Sequence, residues 1–569
     1  MRRPRGARSR SGALVSLLAA MVAGTAEASA QETVRVSVDS SGAEADNDSY
    51  GYVSVLSADG RFVVFSSIAT NLVPNDMNGF CDLFVHDRST GTTQRVSVDS
   101  NGAEGNADAQ AWEFTISADG SSVAFVSVAS NFVPNDTNQN EDIFVHDLAT
   151  GTTERANVDS NGGQAAGGAL YPGSRMPALS ADGRVVAFSS YASNLVPGDT
   201  NGKFDNFVHD RTTGATERIS VDSSGAQADD HSGESALSAD GRFVAFTSLA
   251  TNLVPGDHNG HLDVFVRDRS TGITERVSVD SSGLETDRDC FTPTLSTDAR
   301  YVTFTSDATN LVPGDTNGCN DVFVHDRVSG TTERVSVDSS GAEADGLSWS
   351  ASISGDGMRV AFESYATNLV AGDTNGCNDV FVHDRTTGAT ERMSVASDGS
   401  EDDCGAFIGS ISGNGRVVAF CSCATNLVAS DGNGRFDVFV HYDCGAQSSN
   451  YGTGLAGTNG VPALTSTSPI LGTTVDVSIG NSLGAPTIGL LFVGTTQAQI
   501  HTRFGGDLLV LPTLAVPMNF SFGFNVLSGT LPLDDVLCGV TLDLQVVEAD
   551  PGALLGVSFS QGLELVLGH

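Results

Sequence analysis

Seven loops in the chain repeat one spacing of carboxylate and amide side chains. The first contains Asp76, Asn78 and Asp82 beside a glycine. Ca²⁺ is bound by several carboxylate and carbonyl oxygens in a tightly turned loop, so the pattern predicts a cation site in every repeat, of modest affinity. The other members are Asp136, Asn138, Asp142, Asp199, Asn201, Asp205, Asp257, Asn259, Asp263, Asp315, Asn317, Asp321, Asp373, Asn375, Asp379, Asp431, Asn433 and Asp437.

The same residues have a second interpretation that needs no cation. The spacing differs from that of known calcium loops, and no bidentate Glu closes it. Asp and Asn side chains also stabilise turns by bonding to nearby backbone groups. In that case the last Asp of each loop fastens the strand that follows.

A second set of candidate residues lies five positions before the Ser of a recurring Ser-Ala-Asp-Gly turn. Aromatic faces next to carboxylates suit the stacking and hydrogen bonding of sugars, while the alternative is packing between repeats. The candidate ligand-binding residues are Tyr52, Trp112, Arg175, Phe291, Trp349 and Phe407, with Gly233 at the remaining position.

Residues typical of catalysis are either repeated or out of context. A catalytic histidine is normally singular, so a set present in nearly every repeat is interpreted as structural. Gly480–Gly484 matches G-x-S-x-G, but the α/β surroundings of a nucleophile elbow are missing. The sequence therefore predicts no catalytic residue. The repeated histidines are His86, His146, His209, His325, His383 and His441, with Arg267 in the remaining copy.

These residues are positioned by a repeat of about 58 residues. Its turn, first seen at Ser57–Gly60, returns around Asp119, Asp182, Asp240, Asp298, Asp356 and Asn414. Each copy holds four short β-rich runs separated by turns, which fits one blade of a β-propeller. In the fourth copy the predicted strands are Ser235–Leu237, Phe243–Thr247, Val264–Arg267 and Glu275–Val279.

The phase of the repeats predicts a closed ring. An isolated fourth strand, Thr33–Val38, precedes the first turn, and the seventh copy stops after its third strand, Val438–His441. Pairing the two ends completes seven blades and removes two open sheet edges. We therefore predict an all-β, seven-bladed β-propeller over residues 31–444, closed by N-terminal strand exchange.

Segments such as Leu237–Ser248 and Asn320–Asp326 resemble the TolB-type, WD40-like propeller repeat. The resemblance covers about residues 32–443 and implies a propeller fold. It also favours a structural role for the last Asp of each loop, since the family has an acid there. The loop before that acid is longer in this chain. The α/β domain that precedes the propeller of TolB is absent, so the resemblance implies no partner.

The nine cysteines of the chain are an odd number and do not follow the repeat. In an exported chain they predict disulfides. Cys290 and Cys319 are expected to lie together on the loop face of the fifth blade, as a disulfide pair.

The two ends of the chain differ from the repeats. Residues 1–30 have the basic start, short apolar run and Ala28-Ser29-Ala30 site of a signal peptide. Residues 445–450 predict a linker, and 451–569 a β-sandwich. Its predicted strands are Thr474–Ile479, Ile488–Val493, Leu508–Leu511, Val540–Val547 and Leu563–Leu567.

The net charge and the predicted export limit the function that the sequence suggests. A charge of −40 disfavours nucleic acid and anionic membrane surfaces as partners, and no later segment predicts membrane insertion. The prediction is a secreted or periplasmic bacterial binding or scaffold protein that recognises glycan or extracellular protein through its loop face. The alternative is an extracellular polysaccharide lyase or glycosidase of the propeller type.

Overall fold

The structure is a computed structural model that describes residues 32–166, 173–442, 447–467, 474–494, 497–504, 506–520, 524–530, 541–553 and 555–566. The chain divides into two compact units, Thr33–Tyr442 and a second that contains residues 443–569. All regular secondary structure of the described residues is β-strand. These residues include no helix with the length and hydrophobicity needed to cross a membrane. The predicted signal peptide, 1–30, lies outside them.

The first unit consists of seven antiparallel sheets of four strands, numbered here as sheets 1 to 7. Sheets 1 to 3 contain β2 (Ser49–Leu56), β3 (Phe62–Ser67), β4 (Asp82–Asp87), β5 (Thr92–Arg95); β6 (Ala109–Ile116), β7 (Ser122–Ser127), β8 (Asp142–Asp147), β9 (Thr153–Arg155); β10 (Ser174–Leu179), β11 (Val185–Ser190), β12 (Asp205–Asp210) and β13 (Ala215–Arg218). Sheets 4 and 5 contain β14 (Ser232–Leu237), β15 (Phe243–Ser248), β16 (Asp263–Asp268), β17 (Ile273–Arg276); β18 (Cys290–Leu295), β19 (Tyr301–Ser306), β20 (Asp321–Asp326) and β21 (Thr331–Arg334). Sheets 6 and 7 contain β22 (Ser348–Ile353), β23 (Arg359–Ser364), β24 (Asp379–Asp384), β25 (Ala389–Arg392); β26 (Ala406–Ile411), β27 (Val417–Ser422), β28 (Asp437–Tyr442) and β1 (Glu32–Arg35).

Sheet 7 is completed by the N-terminal strand, as the phase of the repeats predicts. Its order is β1-β28-β27-β26, and the backbone N–H of Val36 donates to the Val438 carbonyl at 2.8 Å. The fourth strands are shorter than predicted. β17 ends at Arg276, and Val279 instead forms an isolated bridge with Glu285.

The second and third strands of each sheet are hydrophobic because both of their faces are covered by neighbouring sheets. Phe246 lies opposite Phe265, with ring centroids 5.8 Å apart, and both side chains are fully buried. Core clusters combine residues of consecutive sheets, such as Val208 of sheet 3 with Val244 of sheet 4. The phenylalanine pair recurs in all seven sheets, as Phe65/Phe84, Phe125/Phe144, Phe188/Phe207, Phe304/Phe323, Phe362/Phe381 and Phe420/Phe439.

The Ser-Ala-Asp-Gly turns connect the sheets to one another. Within the first turn, Ser57 Oγ donates to Asp59 Oδ1 at 2.6 Å. Between turns, one backbone N–H donates to a carbonyl of the next turn in the ring, at 2.8 to 3.1 Å. The seven bonds form a closed circle: Ala58 to Ala118, Asp119 to Ala181, Ala181 to Ala239, Ala239 to Thr297, Thr297 to Gly355, Gly355 to Gly413, and Gly413 back to Ala58.

The glycine of this turn is required by both conformation and space. Gly357 has φ 76°, and a Cβ atom there would lie 2.2 Å from the Tyr301 ring of the preceding sheet. Any side chain would therefore separate two sheets of the ring.

The second unit contains two larger sheets and a hairpin. Its core combines side chains of both sheets, among them Leu464, Ile479, Leu491 and Val546. One sheet follows the order β29-β39-β37-β32-β35, with β38 beside β37; the other is β30-β31-β36, and the hairpin is β33-β34. The strands are β29 (Gln447–Tyr451), β30 (Leu464–Ser466), β31 (Thr474–Gly480), β32 (Thr487–Gly494), β33 (Gln497–His501), β34 (Asp507–Val510), β35 (Leu514–Phe520), β36 (Phe524–Thr530), β37 (Thr541–Ala549), β38 (Val557–Phe559) and β39 (Gly562–Val566).

Two predictions about connections require correction. Residues 447–450, assigned to a linker, begin β29, which pairs with β39. Cys290 and Cys319 are not bonded to each other. The thiol of Cys290 is buried in the core between sheets 4 and 5, whereas Cys319 lies in the loop before β20. The disulfide among the described residues joins Cys404 to Cys423 in the seventh repeat.

The closed ring predicts a large effect of Arg35→Ala. The Arg35 guanidinium lies 2.8 Å from Glu44 and 3.2 Å from Asp437, and also faces Asp431. Asp431 and Asp437 are buried, so removing the cation should lower the free energy of unfolding by about 3–5 kcal/mol. Urea unfolding measures the change. The matched control is Arg61→Ala, whose half-exposed pair with Asp87 should contribute much less. Equal losses would contradict the importance of this junction.

Candidate functional site

An arginine side chain contacts the loop aspartates that the sequence predicts to bind calcium. In sheet 1, Arg95 Nη1 lies 3.1 Å from Asp76 and 3.0 Å from Asp82. Asn78 donates to Asp82 at 2.9 Å, and Ser97 donates to its other oxygen at 2.5 Å. An arginine contacts both loop aspartates in every repeat: Arg95, Arg155, Arg218, Arg276, Arg334, Arg392 and, across the ring junction, Arg35.

This arrangement fits the turn-fastening interpretation better than a cation site. Each pair of loop carboxylates already contacts a guanidinium, and the described residues contain no group of three or more Asp, Glu, His or Cys side chains placed to hold a metal ion. Burial raises the pKa of Asp257, Asp315 and Asp373 to about 6, although the arginine opposes that shift. Calcium binding stays a prediction.

The turn-fastening interpretation predicts that calcium has no effect on stability, whereas calcium binding would raise the Tm. Thermal unfolding of EDTA-treated protein should then give the same Tm with and without millimolar Ca²⁺, because the loop carboxylates already pair with an arginine. Calorimetric titration provides the parallel measurement. A calcium-dependent rise in Tm together with binding heat would support the cation site and contradict the turn-fastening interpretation.

The repeated histidines are structural, as the sequence indicates. His86 Nδ1 lies 2.9 Å from Thr93 Oγ1, and that hydroxyl donates to the Val38 carbonyl at 2.5 Å. Since the hydroxyl proton is used, the imidazole is the donor to Thr93. Burial lowers the pKa of His86 to about 4, so the ring is neutral. His441 makes the same contact with Thr33 at 2.8 Å, which adds a polar link at the ring junction.

The predicted ligand-binding positions lie beside the long loops. In every repeat the first residue of the first strand donates its N–H to the carbonyl just before the third strand of the preceding sheet. Examples are Ser174 to Glu141 at 2.9 Å and Ser348 to Asn320 at 2.8 Å. This seven-fold contact brings the start of each first strand and the preceding loop to one edge.

The side chains at these positions are not equivalent. Trp112 is 56% exposed and stacks on Tyr50 at 6.4 Å. Trp349 is partly buried against Tyr365, Phe407 lies near Phe436, and Phe291 is partly buried. The Tyr52 side chain lies outside the described part of the chain.

Arg175 contacts two carboxylates at a position where most other repeats have an aromatic side chain. Its guanidinium donates to both oxygens of Glu141, at 2.8 and 2.9 Å, and lies 3.6 Å from Glu113. The equivalent position in the next sheet is Gly233, which lies opposite Thr247 and has no side chain. The ring of candidate residues is therefore uneven.

An open cleft of about 410 Å³ lies where four first strands meet, in sheets 2 to 5. Trp112 and Met176 are its exposed apolar side chains, and Glu113 and Glu234 are its charged residues. The remaining lining residues are Phe114, Pro177, Ser235, Thr292, Pro293 and Thr294. The cleft combines one aromatic platform with two carboxyl groups and no basic side chain.

The two glutamates tie neighbouring sheets together at the cleft. Glu113 accepts the Met176 N–H at 3.1 Å, and Glu234 accepts the Thr292 N–H at 2.6 Å. Met176 and Thr292 have φ 55° and 50°, a left-handed bulge conformation that directs their N–H groups toward the acids. Desolvation raises the pKa of both carboxyls.

Glu113 and Glu234 are not among the site residues predicted from the sequence, although the repeats contain a signal for them. They occupy the position directly after the aromatic set, where the copies carry Val53, Glu113, Met176, Glu234, Thr292, Ser350 and Ile408. A position that varies between acidic, apolar and hydroxyl residues contributes little to the common repeat. Residues at this position are therefore candidates for a function that the repeats do not share.

Another buried acid lies between sheets 6 and 7. Glu363 on β23 accepts hydrogen bonds from Asn378 Nδ2 at 3.3 Å and from the Ile408 N–H at 3.2 Å. Its burial raises the pKa to about 7, with the hydrogen bonds opposing the shift. Near it, Asp402 accepts from Asn375 and Gly405 and interacts with Asp379, so burial and this second acid raise its pKa to about 8.

Glu363→Gln should change how stability depends on pH. Because the folded-state pKa lies above the value of 4.5 for a free carboxyl, the Glu363 contribution is complete below 4.5 and is lost as pH rises through about 7. The difference in unfolding free energy between wild type and variant should shift by about 1–3 kcal/mol over that range. Urea unfolding across the range measures it, with exposed Glu333→Gln as the control. A constant difference would contradict the buried, protonated carboxyl.

Ser482 of the G-x-S-x-G match has a structural environment. It is buried in the turn between β31 and β32, and its Oγ lies 2.9 Å from Asp550 and 2.8 Å from Ser558. Its N–H donates to Glu548 at 2.6 Å. These contacts connect the turn to β37 and β38.

No model of a protein family and no curated protein matches the chain. Solved structures with a similar fold include an oligogalacturonate lyase from Vibrio parahaemolyticus, 13% identical, with a TM-score of 0.42 over 73% of this chain and 98% of that one. A putative TolB from Agrobacterium tumefaciens is 14% identical, with a TM-score of 0.32 over 54% of this chain and 88% of that one. A xyloglucanase from Xanthomonas campestris is 9% identical, with a TM-score of 0.37 over 79% of this chain and 59% of that one. Similarity at this level assigns no activity.

Proposed function

We propose that this chain is an exported glycan-binding protein, built as a seven-bladed TolB-like β-propeller followed by a β-sandwich. The binding site in this proposal is the cleft of sheets 2 to 5. The observation that supports it most is the exposed Trp112 beside Glu113 and Glu234, at the part of the ring where the repeats differ.

The chemistry of the cleft suits a sugar ring. An exposed indole face packs against the C–H face of a pyranose, and carboxyl and hydroxyl groups accept or donate hydrogen bonds to its hydroxyls. Trp112 supplies the face, while Glu113, Glu234, Ser235 and Thr292 supply polar groups in the same cleft. An open cleft also admits an internal segment of a polymer.

Hydrogen bonds between neighbouring sheets fix the carboxyl groups of the cleft. Glu113 and Glu234 are each held by a backbone N–H of the following sheet, so their carboxyls are positioned before any ligand arrives. A preorganised site loses less conformational entropy on binding.

A second candidate function is an extracellular polysaccharide lyase or glycosidase. Two carboxyl groups with raised pKa in one cleft are the kind of pair that acid–base chemistry on sugars requires. Release of reducing or unsaturated ends from polysaccharides, lost in both Glu113→Gln and Glu234→Gln, would favour the enzyme. Binding without product release would favour the binding protein.

Trp112→Ala should abolish most glycan binding. Loss of a stacking platform worth about 1–2 kcal/mol lowers affinity roughly 5- to 30-fold. A glycan array identifies ligands, and calorimetry measures the change with the best of them. The control is Trp349→Ala, because Trp349 contacts Tyr365 and does not line the cleft. Equal losses in both variants, or none in Trp112→Ala, would contradict this site.

A further inference from the structure

The charge of the cleft defines which saccharides it can accept. Among its lining residues, Glu113 and Glu234 are ionisable acids, and none is Lys, Arg or His. The nearest described cation, Arg175, is engaged with both oxygens of Glu141 and lies 3.6 Å from Glu113. An acidic sugar would therefore meet carboxylates without a free cation, within a chain of net charge −40.

Glu234 has an oxygen available for a ligand. Its Oε2 accepts the Thr292 N–H at 2.6 Å, whereas its Oε1 makes no hydrogen bond with the residues that the structure describes. Glu113, in contrast, has one oxygen on the Met176 N–H and the other toward Arg175. The two acids are thus unequal, and Glu234 is the one with free acceptor capacity.

Desolvation opposes ionisation of both glutamates, and it raises their pKa. A bound cation reverses that effect, because an opposite charge within about 4–6 Å favours the carboxylate. A ligand that brings its own positive charge therefore gains a charge-assisted hydrogen bond that a neutral sugar lacks.

We propose that the cleft selects saccharides with protonated amino groups, such as glucosamine oligomers. One ring packs on Trp112, and an ammonium group donates to Glu234 Oε1. This inference rests on the proposed glycan-binding function and names its ligand class.

The test compares a glucosamine oligomer with its N-acetylated form, a neutral glucan oligomer, a galacturonate oligomer and oligolysine. Full-length wild type, Glu234→Gln, Trp112→Ala and Glu217→Gln are titrated by calorimetry at mildly acidic pH and moderate salt. Glu217 lies on the outer strand β13, and its carboxylate pairs with Arg269, so Glu217→Gln is the control for loss of one surface charge.

The glucosamine oligomer should bind most tightly, and Glu234→Gln should weaken it roughly 10-fold or more without changing the weaker binding of the neutral glucan. Glu217→Gln should stay within about two-fold of wild type. The amino-sugar inference is overturned if the N-acetylated or neutral oligomer binds as tightly as the glucosamine oligomer and Glu234→Gln changes none of the affinities. The proposed glycan-binding function would survive that result.

Two other results would overturn the inference by different routes. If no saccharide binds in any condition, the proposed glycan-binding function fails as well. If oligolysine binds as tightly as the glucosamine oligomer and Trp112→Ala affects neither, the interaction is general attraction to an acidic surface rather than recognition in the cleft.

Discussion

Closure of the ring is the constraint on which the rest of this structure depends. Seven four-stranded sheets are linked by one circle of backbone hydrogen bonds between their turns, and the circle returns from Gly413 to Ala58. The N-terminal strand completes the seventh sheet, and Arg35, at the end of that strand, forms ion pairs with the acids of the last loop. Because each sheet packs on two neighbours, displacement of one alters the position of the next. That coupling holds the first strands in place around the cleft.

Much of this fold is predictable from the sequence, because the signals that define it are repeated and local. Short β-rich runs, the Ser-Ala-Asp-Gly turn and the isolated strand at Thr33–Val38 indicate the four-stranded unit and the pairing of the two ends. The boundaries are less predictable. β17 ends at Arg276 rather than Val279, since the following segment turns toward the isolated bridge at Glu285. β29 begins in Gln447–Asn450, a polar Gly/Ser/Asn context in which pairing with β39 outweighs local preference.

The site was only partly predictable, for a physical reason. Repetition draws attention to Asp76 and its six equivalents, yet each of these acids pairs with an arginine. Arg95 comes from the next strand along the chain and Arg35 from the opposite end of the propeller repeats, and the spacing of the acids reveals neither contact. Trp112 was recognisable as an aromatic residue, but its exposure depends on what the neighbouring sheets leave uncovered. Glu113 and Glu234 occur outside any motif, and only the juxtaposition of four first strands brings them to one cleft. The pairing of Cys404 with Cys423 was missed because spacing does not determine which thiols meet.

Uniform and non-uniform positions therefore have different roles in this chain. The residues that every repeat shares close turns, pair charges or fill the core, whereas the cleft uses positions at which the repeats diverge. Trp112 allows a direct measurement, because the chain contains two tryptophans. In Trp349→Phe protein, Trp112 is the remaining one, and its fluorescence can be followed during titration with an oligosaccharide. Binding in the cleft predicts a blue shift and protection from acrylamide quenching that saturate with the oligosaccharide. Saturable binding with unchanged Trp112 emission and quenching would place the ligand elsewhere and contradict it.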